Sequence, residues 1–365
     1  MKYKEFKGNK ISRLGFGVMR LPTDGSDPAK FDREQGQAII DRAMELGVNY
    51  FDTAHLYQKT DSEKFLGEAL KKYPRDSYYI ATKFYGSPKR DIRKTFFEQL
   101  ERLQTDYVDF YLLHCLEEDT FQLYTDPERD YLGFLRQMRD EGKIRYLGFS
   151  THASCRMLED FLSYADDFDM ALMQLNYVDW DLLDAKGQYE ILTRHNIPVW
   201  VMEPLKGGRL ATLNDAACKI LKDAQPDRSI ASWGFRYLLG LENVQTVLSG
   251  MGSLEMVEDN CAVFAEHKPL TEEETATLQQ AKDAFMADLG VPCSGCRYCC
   301  DDCPAQLNIP LLIQYFNEKN LGGEAWKIPG LEQAKPADEC LQCGVCMSHC
   351  PQKIQIPEIM AKLKK

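Results

Sequence analysis

The sequence predicts an α/β fold, a (β/α)₈ TIM barrel followed by a small, mainly helical, cysteine-rich domain. Three observations carry this expectation. Eight short β-rich runs alternate with helix-length segments between Leu14 and Gly250, and strand-then-helix repeated in this way implies parallel pairing. Nine of the thirteen cysteines crowd between Cys293 and Cys350 at spacings typical of metal ligands. The length of 365 residues also fits, because a barrel absorbs roughly 250 residues and leaves about 100 for a second domain.

The chain opens on two short strand patterns, Lys2 to Phe6 and Lys10 to Leu14, bridged by Lys7, Gly8 and Asn9. That pattern reads as a hairpin, placed to plug the N-terminal end of the barrel. The runs follow in order: LGFGVM from Leu14, NYFDTA from Asn49, YYIATK from Tyr78 and YVDFYLLH from Tyr107. IRYLGFS from Ile144, DMALMQLNY from Asp169, PVWVMEP from Pro198 and VQTVLSG from Val244 complete the set. Each is nearly continuous in apolar residues, as expected of a strand buried on both faces. Between the first two, Arg33 to Leu46 follows the N-cap candidate Asp32 and stops at Gly47, which reads as a helix with both end signals. TEEETATLQQAKDAFMADL, from Thr271 to Leu289, starts on a capping-box pattern and ends before Gly290. The domain boundary is expected there, giving a barrel over 1–289 and a cysteine domain over 290–365.

Hydrophobic residues make up 44% of the chain and aromatics 11%, enough for a large core and against disorder. With 56 acidic against 44 basic side chains the net charge is −12, so the overall field repels nucleic acid and anionic membranes. The first residues, MKYKEFKGNK, hold no apolar run, and no later stretch reaches the roughly 20 apolar residues of a membrane span. A cytoplasmic location, with neither nucleic acid nor membrane as partner, is expected.

Cys293, Cys296, Cys299 and Cys303 precede Pro304, and Cys340, Cys343, Cys346 and Cys350 precede Pro351. This is C-x₂-C-x₂-C-x₃-C-P twice, the spacing that holds cubane iron–sulfur clusters. All four positions repeat at one offset, 340 − 293 = 350 − 303 = 47, and Ile309-Pro310 and Ile356-Pro357 repeat at the same distance, so the domain is an internal duplication. Two zinc ribbons would also use thiolates in C-x₂-C pairs, but the third cysteine and the Pro after the fourth suit two [4Fe–4S] clusters better. The module resembles two-cluster bacterial ferredoxins. That resemblance implies that the fourth cysteine of each run serves the other cluster: Cys293, Cys296, Cys299 and Cys350 hold one, and Cys303, Cys340, Cys343 and Cys346 the second. The helical pattern LLIQYFNEK between the runs is similar to helical dicluster ferredoxins found within larger oxidoreductases. Cys300, Cys115, Cys155, Cys218 and Cys261 read as packed thiols.

In a (β/α)₈ barrel the chemistry sits at the C-terminal ends of the strands. Asp52 ends NYFDTA, Lys83 ends YYIATK, His114 ends YVDFYLLH, and Tyr57 follows Asp52 in the next loop. On these residues the chain, from about Ser12 to Val263, resembles the aldo-keto reductase family, whose catalytic tetrad is Asp, Tyr, Lys and His in this order. The resemblance implies hydride reduction of a carbonyl, with Tyr57 as the acid. A phenol with a pKa of about 10 is a reluctant donor; a Lys83 ammonium held by Asp52 is expected to favour its ionised form, and His114 to orient the carbonyl oxygen. The resemblance further implies NADP or NAD as cofactor, with the nicotinamide carboxamide at Ser150, Thr151 and Gln174. The phosphates are then expected near Leu205 and Gly207 and against Gly250, Met251 and Asn260. Gly250 and Met256 stand where many NADPH-using relatives carry basic residues, and Met202 where a stacking Tyr is usual.

Two functions compete on the sequence. One is an NAD(P)H-linked carbonyl reductase, or alcohol dehydrogenase in reverse, that acts on a small carbonyl or alcohol, its clusters either exchanging electrons with a ferredoxin or flavoprotein or serving mainly as structure. The alternative is an electron-transfer protein whose barrel binds a partner or ligand without carbonyl turnover.

Overall fold

The structure is a computed structural model that describes residues 1–25, 27–288, 290–291, 293, 298–320, 331–350 and 354–364. Two compact units are present. The first comprises Met1–Tyr177, Asp184–Thr212 and Asp227–Thr275; the second comprises Val178–Leu183, Leu213–Pro226 and Ala276–Lys365.

The first unit begins with a hairpin of β1 (Tyr3–Phe6) and β2 (Asn9–Ser12), closed by Lys7 and Gly8, both at positive φ. Next come β3 (Leu14–Gly17) and an outer hairpin of β4 (Thr23–Asp24) and β5 (Asp27–Phe31). The remaining strands are β6 (Tyr50–Asp52), β7 (Tyr79–Phe84), β8 (Val108–Leu116) and β9 (Ile144–Thr151), then β10 (Met170–Gln174), β11 (Val199–Met202) and β12 (Val244–Ser249). Strands β3 and β6 to β12 close a barrel in the order β10-β11-β12-β3-β6-β7-β8-β9, with every pair of neighbours parallel. Each of the eight runs read from the sequence supplies one barrel strand. The outer hairpin is not legible in TDGSDPAKF, which is polar and carries a Pro.

The first hairpin fills one end of the barrel. Phe6 is buried and stacks edge or tilted against Phe110, Tyr146 and Trp200, with centroids 5.7, 5.0 and 5.1 Å away. Tyr50, the first residue of β6, belongs to the same apolar cluster, so the plugged end is the N-terminal one. Asp32 caps the helix Arg33–Glu45 by accepting from the Glu34 and Gln35 amides, and Gly47 follows at φ +88°. Thr271 Oγ1 accepts from the Glu274 amide while Glu274 Oε2 accepts from the Thr271 amide, the reciprocal box that starts Glu272–Asp288.

In the second unit, short helices span Tyr298–Asp301 and Val345–Ser348, and longer ones Ile309–Asn320 and Ile356–Leu363. Both pairs begin 47 residues apart (345 − 298 and 356 − 309), so the offset of the cysteines is also an offset of helices. Ile309, Leu312, Ile313, Ile356 and Met360 form a small core with Cys299 and Cys346. No helix among the described residues is long and apolar enough to cross a membrane.

Candidate functional site

Strands β6, β7 and β8 are neighbours, and their C-terminal ends bring Asp52, Lys83 and His114 together. Lys83 is 1% and Asp52 3% exposed. The Lys83 ammonium uses its three donors on Asp52 Oδ1 at 2.5 Å, the Thr53 carbonyl at 2.8 Å and the Tyr57 hydroxyl at 3.5 Å. It also lies 5.0 Å from the centroid of the Tyr57 ring, and the His114 ring meets that of Tyr57 edge-on at 5.9 Å. All four residues expected from the sequence therefore meet at one end of the barrel, opposite the plug.

The electrostatics follow from burial. Desolvation raises Asp52, against the pull of Lys83. Desolvation opposes the charge of Lys83 too, but Asp52 and Tyr57 outweigh it and leave that pKa raised, so the ammonium stays charged. The acidified Tyr57 expected from the sequence is corrected in its net direction. Burial raises the phenol, Lys83 lowers it only in part, and Asp52 raises it again. Tyr57 thus remains a neutral O–H donor at physiological pH, and Lys83 is poised to stabilise the phenolate left by proton transfer. Burial first, then Lys83, His55 and His152, holds His114 well below the ordinary imidazole range. The ring is neutral, and its Nδ1 is buried without a partner among the described residues, as is Asp52 Oδ2.

A second layer of polar side chains, not foreseen from the sequence, supports this group. Glu63, fully buried on the helix Asp61–Leu70, accepts from Thr82 Oγ1 at 2.6 Å, Gln99 Nε2 at 2.6 Å and Arg102 Nε at 2.7 Å. Gln99 Nε2 also reaches the Lys83 carbonyl at 3.1 Å, while Tyr111 donates to Gln99 Oε1 at 2.6 Å. His55 Nδ1 meets the same Lys83 carbonyl at 2.9 Å. On a helix a buried carboxylate reads as a solvent-facing one; the one available signal was that Glu63 shares a face with Leu66, Gly67 and Leu70, which pack inward.

The residues expected to hold a nucleotide lie at the same end of the barrel. Ser150 and Thr151 close β9 and are buried; Ser150 Oγ accepts from the Cys115 amide at 2.7 Å and Thr151 Oγ1 from the Ala153 amide at 3.0 Å. Gln174 ends β10. Leu205 precedes a turn with Gly207 at φ +67°. Met251 is buried beside Gly250, and Asn260 donates to Ser249 Oγ at 3.1 Å. Arg20, also unforeseen, lies across Gly250, where an added Cβ would stand 3.2 Å from the Arg20 Cβ; its guanidinium faces Glu203 at 3.7 Å. It follows β3 directly, where barrel loops carry function.

In the second unit Cys303, Cys340, Cys343 and Cys346 line one pocket, completed by apolar residues such as Leu307, Ile309, Ile356 and Met360. Four thiols in an apolar enclosure are a donor set that suits a [4Fe–4S] cluster. Cys293, Cys299 and Cys350 pack on the same core, while Cys296 lies outside the described residues.

A closed parallel barrel with a buried ammonium–carboxylate pair at its C-terminal mouth defines the class of a barrel enzyme, here an oxidoreductase. The chain belongs to the aldo/keto reductase family, whose family model matches residues 13–283; a 4Fe-4S dicluster domain matches residues 292–354. Among its relatives, L-galactose dehydrogenase of Arabidopsis thaliana is 31% identical over 72% of this chain and 87% of its own length. NADH-specific methylglyoxal reductase of Escherichia coli is 29% identical over 55% of this chain and 65% of its own. An aldo-keto reductase of Bacillus halodurans, solved in its holo form, superposes with a TM-score of 0.63 at 28% identity, covering 77% of this chain and 96% of that one.

Proposed function

We propose that the protein reduces a small aldehyde or ketone with NADH or NADPH, or oxidises the corresponding alcohol. Tyr57 is the proton donor, and two [4Fe–4S] clusters connect the protein to a one-electron partner of ferredoxin or flavoprotein type. In this reading the barrel spans 1–289 and the dicluster domain 290–365. The observation that carries it is the Lys83 ammonium, buried and shared between Asp52 and the Tyr57 hydroxyl.

Each side chain has one task. Tyr57 donates its proton to the oxygen that gains charge as the carbonyl is reduced, and Lys83 stabilises the phenolate that remains. Asp52 keeps Lys83 charged in a site where burial alone would neutralise it. A neutral His114 donates a hydrogen bond to the carbonyl oxygen without competing as an acid. Bound nicotinamide nucleotide supplies the hydride. Ser150, Thr151 and Gln174 would hold its carboxamide, and Leu205, Gly207, Gly250, Met251 and Asn260 would flank its phosphates and adenosine. Cys293, Cys296, Cys299 and Cys350 would hold one cluster, and Cys303, Cys340, Cys343 and Cys346 the other.

The test is NADH- and NADPH-dependent reduction of a panel of small aldehydes by protein purified anaerobically, beside Tyr57→Phe. Loss of a general acid is expected to lower turnover by about 10²- to 10⁴-fold. Equal rates in the two proteins would remove the carbonyl reductase reading.

A further inference from the structure

We propose that Gln342 sets the reduction potential of the cluster held by Cys303, Cys340, Cys343 and Cys346, by donating an amide hydrogen bond to one of its sulfurs. This inference rests on the two-cluster reading above. Gln342 stands between the ligands Cys340 and Cys343, and its side-chain nitrogen donates to Cys340 Sγ at 3.6 Å and to the Pro357 carbonyl at 3.1 Å. The amide nitrogen has two hydrogens and meets two acceptors, so the bond to Pro357 turns the second hydrogen toward sulfur.

The backbone strengthens the case. Gln342 adopts φ +56°, a left-handed conformation that favours glycine and penalises any residue with a Cβ. The matching position of the first repeat, 47 residues earlier, is Gly295. The second repeat therefore carries a long amide side chain where the first has none, and only the second has a side-chain donor at this position.

Adding one electron to a thiolate-held cubane adds one negative charge, shared with the ligand sulfurs. A donor on sulfur stabilises the reduced state more than the oxidised one, so it raises the potential. Gln342→Met keeps the length and removes the donor. It is expected to lower the equilibrium constant for one-electron reduction of this cluster by about threefold to tenfold, which at 59 mV per tenfold is about 30–60 mV. Gln342→Glu replaces the donor with a negative acceptor, and should shift the potential the same way and at least as far.

The experiment is a dithionite titration of the full chain under anaerobic conditions, followed by electron paramagnetic resonance, with iron and sulfide counted per chain. Two clusters in each protein, with one potential lowered in both variants and the other unchanged, is the supporting result. Two intact clusters with both potentials unchanged in Gln342→Met would overturn the inference and leave the cluster reading standing. Should that variant lose its clusters, Gln342→Glu decides; loss in both means that Gln342 only maintains structure, and the proposal fails. Zinc in place of iron and sulfide in the parent protein would overturn both readings.

Discussion

His114 shows how one side chain couples the site to pH. Burial and the Lys83 charge hold its folded pKa well below the ordinary 6.5, so between these values the unfolded chain binds a proton that the folded one does not. Stability therefore rises with pH in that window and falls as the solution is acidified through 6.5. A ring kept neutral through that window costs roughly 1 kcal/mol of stability for each pH unit below 6.5. His114→Gln should lose less stability than the parent protein between pH 7.5 and 5.5, read as the two differences in urea midpoint. Identical differences would mean that the ring is not held neutral by the fold. Asp52, Lys83 and His114 were legible in the sequence because they close apolar strand runs, and Tyr57 because it follows Asp52 in the pattern that the family shares. Their electrostatic balance was not, since the net direction at Tyr57 depends on how deeply the phenol sits, which no motif encodes.

The element that presents Tyr57 is unusual. Gln58, Lys59 and Thr60 all have positive φ, at 44°, 51° and 79°, within the turn Tyr57–Thr60 that leads into the helix Asp61–Leu70. Three consecutive left-handed residues, none of them glycine or asparagine, store backbone strain beside a reacting group. The sequence QKT carries no turn signal, which is why this turn could not be read from it; the eight barrel strands could, because burial on both faces makes them apolar runs. Lys59 is exposed, so substitutions there report on the backbone alone. Lys59→Val is expected to destabilise the protein by about 1–2 kcal/mol and to slow turnover by displacing Tyr57. Lys59→Gly should be neutral or slightly stabilising, its relief of strain offset by greater freedom of the unfolded chain. Denaturant unfolding of the two variants checks this, and equal stabilities would contradict the strained turn.

Across the whole molecule, stability and chemistry are separated in the barrel and merged in the second unit, and each arrangement has a consequence. In the barrel, Phe6 packs at the N-terminal mouth while Tyr57 stands at the other. Phe6→Ala should cost about 3–5 kcal/mol, seen as a lower thermal midpoint, yet leave turnover at low temperature unchanged; a parallel loss of turnover would show that the plug reaches the site. The second unit differs, because its core is small and shares side chains with the cluster ligands: Cys299 and Cys346 are buried among Ile309, Ile313, Ile356 and Met360. A core of that size has little surplus over chain entropy, so ligand bonds supply much of the folding energy. Oxidative removal of iron in the presence of a chelator is therefore expected to expose the helices Ile309–Asn320 and Ile356–Leu363 to hydrogen exchange within minutes. The barrel strands β6 to β9, which belong to a closed ring of eight strands, should keep their protection. Unchanged protection of both helices after iron is lost would show that apolar packing alone holds this unit, and would reduce the clusters from structural elements to passengers.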